Sequence, residues 1–286
     1  MNKINVVDNK IIPFDNTDVI LNNNIITFTN NGDYYLEYIT SDNVNITINI
    51  EDNVCVQLFE YSNNNDINTN ITYNLGKNSS LIISKFYYND NTNEEINIYL
   101  NKKNANIKYN FSSISKNHDN YLINIYHNDS TTNSDIFNRT IAKENSSNNF
   151  DINSYVENKI LDCYLNQSTK IITLGDSNNK INPNMFTHDN SVTAIHASVI
   201  GNVNEEELFY LMSRGISYNE AIKIIIKGII LSNINPNMEY REKILNILII
   251  QYYIETHHRY LAGEETKVLY QAERCSGTIK TINDNR

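Results

Sequence analysis

Three cysteines and six histidines carry most of the chemistry open to this chain of 286 residues. Cys55, Cys163 and Cys275 are far apart. An odd, sparse set is no disulfide framework and fits a reducing compartment. Cys163 sits in the strand-like run Leu161-Asp162-Cys163-Tyr164-Leu165. A thiolate there could ligate a soft metal, and a neutral thiol could equally be a small core residue. Cys55, between Val54 and Val56, is expected in the core, and Cys275 exposed in a tail. His196 lies among small and apolar neighbours, Ala194-Ile195-His196-Ala197-Ser198. Its imidazole is a metal ligand or proton shuttle by type, or a hydrogen-bonded structural ring. A metal assignment would rest on His196 alone. His257 and His258 adjoin Arg259 at an expected helix end. Adjacent helical residues point roughly 100° apart and make poor joint ligands, whereas cations suit a helix C-terminus. Gly76-Lys77-Asn78-Ser79 has the ring of a phosphate loop, but Ile71 stands where its first glycine belongs and no helix pattern follows. No nucleophile elbow or HExxH zinc motif occurs. The chain is therefore expected to have no catalytic residues and no ATP site of its own.

Up to about residue 200, short runs alternate apolar and polar residues, the period of a strand. Ile46-Thr47-Ile48-Asn49-Ile50 is echoed by Ile71-Thr72-Tyr73-Asn74-Leu75, by Ile96-Asn97-Ile98-Tyr99-Leu100 and more loosely from Tyr121, with starts stepping by 25. Polar turns such as Glu51-Asp52-Asn53 follow, then a second strand such as Leu81-Ile82-Ile83. A fixed period in the range of about 20–50 residues marks stacked supersecondary units. Two strands and two turns per repeat suit one coil of a solenoid, whose coils bury their apolar face only by stacking. The 3 prolines, Pro13, Pro183 and Pro236, leave almost every strand N–H free to bond. The expected fold is mainly β, a right-handed β-helix over residues 1–203. An antiparallel sandwich is the alternative.

The pattern changes at Asn204. Asn204 is an N-cap followed by Glu205-Glu206-Glu207 in a first turn, where the helix dipole favours acids. Ser217-Tyr218-Asn219-Glu220 is a capping box opening a second helix. That helix is apolar almost all round, from Ala221 to Ile230, and should be buried on several sides. A third helix is expected from about Glu239 to His258. The helical domain is read as 204–262, a small cap on the open end of the solenoid, and the tail as 263–286.

Net charge is −10 and the pI about 5.1. A negative surface repels phosphate backbones, which argues against nucleic acid as a partner. The most apolar stretch is interrupted by Lys223 and Lys227 and is too short for a bilayer, which takes about 20 apolar residues. The N-terminal residues hold no apolar run of a secretory signal. A cytoplasmic protein is expected. The asparagine-rich composition scatters Asn-x-Thr/Ser triplets through the chain, most of them expected by chance.

The stretch Asn204 to Ala221, NEEELFYLMSRGISYNEA, resembles a segment of the SufB/SufD family: acidic residues, Leu-Phe-Tyr, an Arg-Gly-Ile turn and an acidic helix start. Upstream, Ile171 to Asp176 and Asn182 to Phe186 are similar to the family's last coils, and SVTAIHASVIG, Ser191 to Gly201, to the segment carrying its histidine, which falls on His196. Tyr126-His127 with Ser134, Phe137 and Arg139 is a fainter echo. The resemblance implies a non-catalytic β-solenoid subunit of a SUF-type iron–sulfur cluster assembly complex. It implies pairing with a second SufB/SufD-type solenoid, as homodimer or heterodimer, and C-terminal helices that dock a SufC-type ABC ATPase. Leu208, Phe209, Tyr210 and Arg214 are the docking candidates. His196 and Cys163 are the candidates for the cluster or the solenoid interface. No cofactor is implied for this chain alone, only a transient iron–sulfur cluster shared with a partner. The family's D-type cysteine two residues before the histidine is Ala194 here, and the B-type glutamate after it is Ala197. These departures point to a short, divergent D-like supporting subunit. The competing readings are an adhesin-like surface solenoid, which a secretion signal would favour, and a polysaccharide-active solenoid enzyme, which would show clustered acidic and basic residues.

Overall fold

The computed structural model describes residues 2–7, 9–12, 18–39, 43–188 and 190–248. Two compact units divide the chain, Met1–Pro236 and Asn237–Arg286. In chain order the first unit carries β1 (Asn2–Val7), β2 (Lys10–Ile11), β3 (Val19–Asn22), β4 (Ile25–Phe28), β5 (Gly32–Tyr38), β6 (Val44–Ile50), β7 (Cys55–Ser62), β8 (Asp66–Leu75) and β9 (Ser80–Tyr87). There follow β10 (Asn91–Leu100), β11 (Asn106–Ser115), β12 (His118–His127), β13 (Asn133–Lys143), β14 (Ser147–Val156), β15 (Tyr164–Leu174), β16 (Asn178–Phe186), β17 (Thr193–Asn202), α1 (Glu205–Ser213) and α2 (Tyr218–Asn233). In the second unit residues 238–248 are helical. The rest of the expected third helix, His257, His258, the tail and Cys275 lie outside the described residues.

From β4 onward consecutive strands alternate between two sheets, and within each sheet every coil pairs in parallel with the next. One sheet runs β17-β15-β13-β11-β9-β7-β5-β1-β2, the other β16-β14-β12-β10-β8-β6-β4-β3. This is the β-solenoid. At its N-terminal end β2 and β3 pair antiparallel with β1 and β4. Pro183 falls in β16, the terminal strand of its sheet, where no further strand needs its missing N–H.

The pleat explains which residues fill the solenoid. In β8 Ile67, Thr69, Ile71, Tyr73 and Leu75 are buried, while the residues between them face outward. Full burial of one such aliphatic side chain contributes roughly 1.5–3 kcal/mol. Cys55 obeys the same pleat: Val54 and Val56 point inward, so Cys55 points outward and is exposed, not core. The repeat is also less regular than its first steps. Ile46, Ile71, Ile96, Ile123, Ile152 and Pro183 lie in register, so the step is 25 twice and then grows to 27, 29 and 31. The fourth coil therefore starts its equivalent run at Ile123, two residues beyond Tyr121, because the preceding turn lengthens.

Asparagine builds the corners and the outer rows. Asn53, Asn78 and Asn104 adopt positive φ at successive corners, a region asparagine tolerates better than other side chains. They stack through Asn78 Nδ2 to Asn53 Oδ1 at 2.9 Å and Asn104 Nδ2 to Asn78 Oδ1 at 2.9 Å. On the even-strand sheet Asn97, Asn124, Asn153 and Asn184 form a second ladder. Beside it the rings of Tyr99, Tyr126, Tyr155 and Phe186 stack at 4.8–5.0 Å. Gly76, the glycine of the would-be phosphate loop, is a corner residue: a Cβ there would come within 2.5 Å of Asp52 Oδ1.

Both helices start as their caps dictate. Asn204 Oδ1 accepts from the N–H groups of Glu206 and Glu207 at 2.8 and 3.2 Å. Ser217 and Glu220 complete the capping box. Gly215, at φ 85°, closes α1. Helix α2 is less enclosed than its composition suggests. Ala221, Ile225, Ile226 and Ile230 are buried, but Ile224 remains 47% exposed. One face packs on the solenoid, where Ser112 Oγ donates to Ile230 O at 3.4 Å and Asn233 Nδ2 to Phe111 O at 2.7 Å.

Candidate functional site

His196 is held by β17, the last strand of its sheet. It pairs in register with Gln167 of β15. Gln167 is buried inside the preceding coil, so His196 takes the inward phase of a coil on which no further strand stacks among the described residues. The ring is consequently exposed, as are Ala194 and Ala197 around it. Nine of the ten residues of β17 are exposed, Gly201 alone being intermediate, and Ile195, Val199 and Ile200 are 47–52% exposed. A strand of this length with one edge unpaired and three exposed aliphatics is a template for further pairing.

Cys163 is not at this open end. It is 2% exposed and immediately precedes β15, four residues before Gln167, the register partner of His196, a displacement of about 13 Å along the sheet. Its Sγ sits 3.2 Å from Thr132 Oγ1. Thr132 Oγ1 in turn bonds His127 Nδ1 at 2.8 Å, and His127 Nε2 meets Ser134 Oγ at 3.0 Å. The structure thus joins Cys163 to His127 through one hydroxyl and leaves His196 apart. Burial lowers the His127 pKa from 6.5 to about 4, so the ring is neutral near pH 7, with one nitrogen donating and one accepting. Among the described residues no group of three or more His, Cys, Asp or Glu side chains could hold a metal ion.

Of the docking candidates, Leu208, Phe209 and Tyr210 lie on α1, which buries none of its residues, and Arg214 is its C-cap. Phe209 and Tyr210 are 59% and 58% exposed, and the Arg214 guanidinium lies 5.3 Å from the Tyr210 ring centroid. Leu208 is half-buried. Between α1 and α2 opens a cleft of about 620 Å³, apolar along Tyr210, Leu211, Ile224 and Ile229 and rimmed by Glu206 and Glu207. The apolar face of α2 that the solenoid leaves uncovered is the wall of this cleft.

A polar cluster inside the solenoid escaped sequence reasoning. Lys85, fully buried, reaches Glu94 Oε1 at 2.5 Å and Glu60 Oε2 at 3.2 Å, both carboxylates also buried. Tyr38 and Tyr73 donate to Glu60, the first at 3.1 Å, while Tyr87 and Thr69 donate to Glu94 Oε1 at 3.0 and 2.9 Å. Burial, and then the charges of Glu60 and Glu94 for Tyr38 and Tyr87 and of Glu60 for Tyr73, push the pKa values of these phenols well above 10, keeping them as donors. The cluster ties β5, β7, β8, β9 and β10 across both sheets. Its signal was present: Glu60, Lys85 and Glu94 occupy the inward phase of alternating runs, as in Ile83-Ser84-Lys85-Phe86-Tyr87.

No helix among the described residues is long and apolar enough to cross a membrane. The chain matches the family model described as SUF system FeS cluster assembly, SufBD core domain, over residues 21–229. It is 27% identical over 118 residues to the iron–sulfur cluster assembly protein SufD of Bacillus subtilis, covering 41% of this chain and 27% of that protein. A SufBD family iron–sulfur cluster assembly protein of Pyrococcus horikoshii is 54% identical over 35 residues, 12% of this chain and 8% of that protein. One of Galdieria sulphuraria is 44% identical over 46 residues, 16% and 21% of the two chains. The matched stretches thus span less than a third of each curated relative. With a solenoid of stacked coils beneath it and the family model reaching from the second hairpin into α2, the chain belongs to the SufBD core-domain family of the SUF system for iron–sulfur cluster assembly.

Proposed function

We propose that this chain is a non-catalytic scaffold subunit that pairs with a second SufB/SufD-type solenoid through β17 and docks a SufC-type ABC ATPase on α1 and the cleft beside α2. Family membership supports the role in cluster assembly. The observation that carries the finer reading is α1 itself: a capped helix that buries none of its residues and holds Phe209 and Tyr210 outward, with Arg214 exposed at its C-cap. Aromatic residues and arginine dominate interface energetics, and a helix face with a neighbouring apolar groove is a common docking geometry. His196, exposed on β17, would then lie at the seam between two solenoids, where a transient cluster shared with the partner would form. Buried Cys163 would serve the interior of the last coils instead.

The test is co-purification of the full chain with a SufC-type ATPase. Phe209→Ala and Arg214→Glu alter exposed positions and should change folding stability by no more than about 0.5 kcal/mol. Each should weaken binding by about tenfold or more, the scale of an interface anchor. Undiminished binding by both variants, with far-UV circular dichroism unchanged, would refute the docking reading.

A further inference from the structure

Parallel coils in register place equivalent residues about 4.7–4.9 Å apart, close enough for one side chain to bond the next. The fold uses this repeatedly. On the outer face Asn124 Nδ2 donates to Asn97 Oδ1 at 3.1 Å, and inside the last coils Asn138 Nδ2 donates to its register partner Thr169 Oγ1 at 3.0 Å. Gln167 and His196 are another such pair, aligned on β15 and β17 in the inward phase.

Gln167 is 1% exposed. Its Nε2 donates to Ser154 Oγ at 2.8 Å and to Asn184 O at 3.2 Å. A main-chain carbonyl can only accept, so these bonds fix which end of the amide is nitrogen. Oε1 is then the carbonyl oxygen, and it is buried with no hydrogen-bond partner among the described residues. A buried acceptor left unpaired is costly, and buried side-chain oxygens of folded proteins nearly always find a donor. Gln167 has two register partners. Ile136, on β13, offers no side-chain donor. His196, on β17, offers one, because a neutral imidazole carries one N–H. The His196 ring is exposed, and exposed side chains change rotamer within picoseconds to nanoseconds.

We infer that Gln167 is a positioning residue for His196: its Oε1 accepts from one ring nitrogen, which fixes the tautomer and leaves the other nitrogen as a bare lone pair at the open end of the solenoid. Histidines that ligate metals are oriented in the same way, by a carbonyl or carboxylate on the second nitrogen. The use of that lone pair, toward a cluster at the seam, rests on the assembly reading. The bond itself does not, and it is tested on the chain alone.

The experiment is nitrogen-15 NMR of the imidazole rings in the full chain at about pH 8.5, where a histidine of ordinary pKa, about 6.5, is neutral. Among the 6 histidines, the His196 signals are those missing from His196→Ala. In that variant a water takes the ring's place on Oε1, so the melting temperature reads little of this bond. The parent should favour one His196 tautomer about fivefold more strongly than Gln167→Met does, the effect of one hydrogen bond of about 1 kcal/mol. Ser154→Ala disturbs the same interior from the nitrogen side of the amide and keeps Oε1, so its ratio should match the parent. Equal ratios in the parent and Gln167→Met, which a buried water on Oε1 in place of the ring would give, overturn the inference. So does an equal shift in Ser154→Ala, or a parent ring N–H that exchanges with solvent as fast as a free imidazole.

Discussion

Asp119 and His127 lie at the two ends of β12 and titrate in opposite senses, so each hides the other. Burial raises the Asp119 pKa from 3.8 to about 6, partly offset by Ser115, Thr92 and Lys116 nearby. Lys116 is itself held by Asp90 at 2.6 Å. Burial lowers that of His127 from 6.5 to about 4. Between pH 3.8 and 6 the folded protein holds a proton on Asp119 that the unfolded chain has released. Stability from Asp119 is complete below pH 3.8 and declines as pH rises through 6. For His127 the unfolded chain holds the extra proton. Its contribution is complete above pH 6.5 and declines as pH falls through 4. Each shift of roughly two units corresponds to about 3 kcal/mol. From pH 4 to 6 the two slopes, each about 1.4 kcal/mol per pH unit, oppose and cancel. Asp119→Asn should leave a stability curve that rises with pH across this window relative to the parent, and His127→Gln one that falls. The two variants should differ in slope by about 3 kcal/mol per pH unit. Urea denaturation followed by far-UV circular dichroism at pH 4, 5 and 6 measures this, a suitable probe for a chain with no tryptophan. Parallel curves for parent and both variants would refute the assignment of these two buried groups, since the other carboxylates are common to all three proteins.

Other perturbations read other parts of the molecule. Lys85→Ala strands two buried carboxylates and should destabilise by about 3–5 kcal/mol, whereas Lys85→Met combined with Glu60→Gln and Glu94→Gln should recover most of that loss in the same denaturation assay. Asn78→Val forces a β-branched residue to φ 53° and should cost about 1–3 kcal/mol, while Asn78→Gly should cost only the stacked corner bonds, about 1 kcal/mol, a difference visible in the melting temperature. His196→Ala should leave the melting temperature almost unchanged, because the ring is exposed. If His196 serves the shared cluster, the variant should bind less iron and sulfide after anaerobic reconstitution of the complex, and unchanged cluster content would make it a bystander. Cys163→Ser, in the same series, should keep cluster content and alter stability, since its thiol is buried against Thr132.

Local chemistry is legible wherever neighbours in sequence are neighbours in space. The period-2 runs, the coil repeat, the cap at Asn204 and the capping box at Ser217 are set by pleat and helix geometry, and the structure shows all of them. The segment from Asn204 to Ala221 also carried enough family character to be recognised. Cys55 was misplaced although the same pleat determines it, because two valines flanking a small residue look like core unless the phase is counted. Other features depend on stacking between coils. The lengthening of the step from 25 to 31 residues is fixed by the room each turn needs against its neighbour. The joining of Glu60, Lys85 and Glu94 requires two sheets to face each other, and that of Cys163 to His127 requires two coils to lie in register. How much of α2 is covered depends on which face meets the solenoid, something its nearly uniform apolar composition cannot encode. The sequence by itself determined the strands, the caps, the repeat and the family. Which inward polar residues meet, and which surfaces stay open, was decided only by tertiary structure, because parallel stacking makes neighbours of residues about 25 positions apart that no local pattern connects.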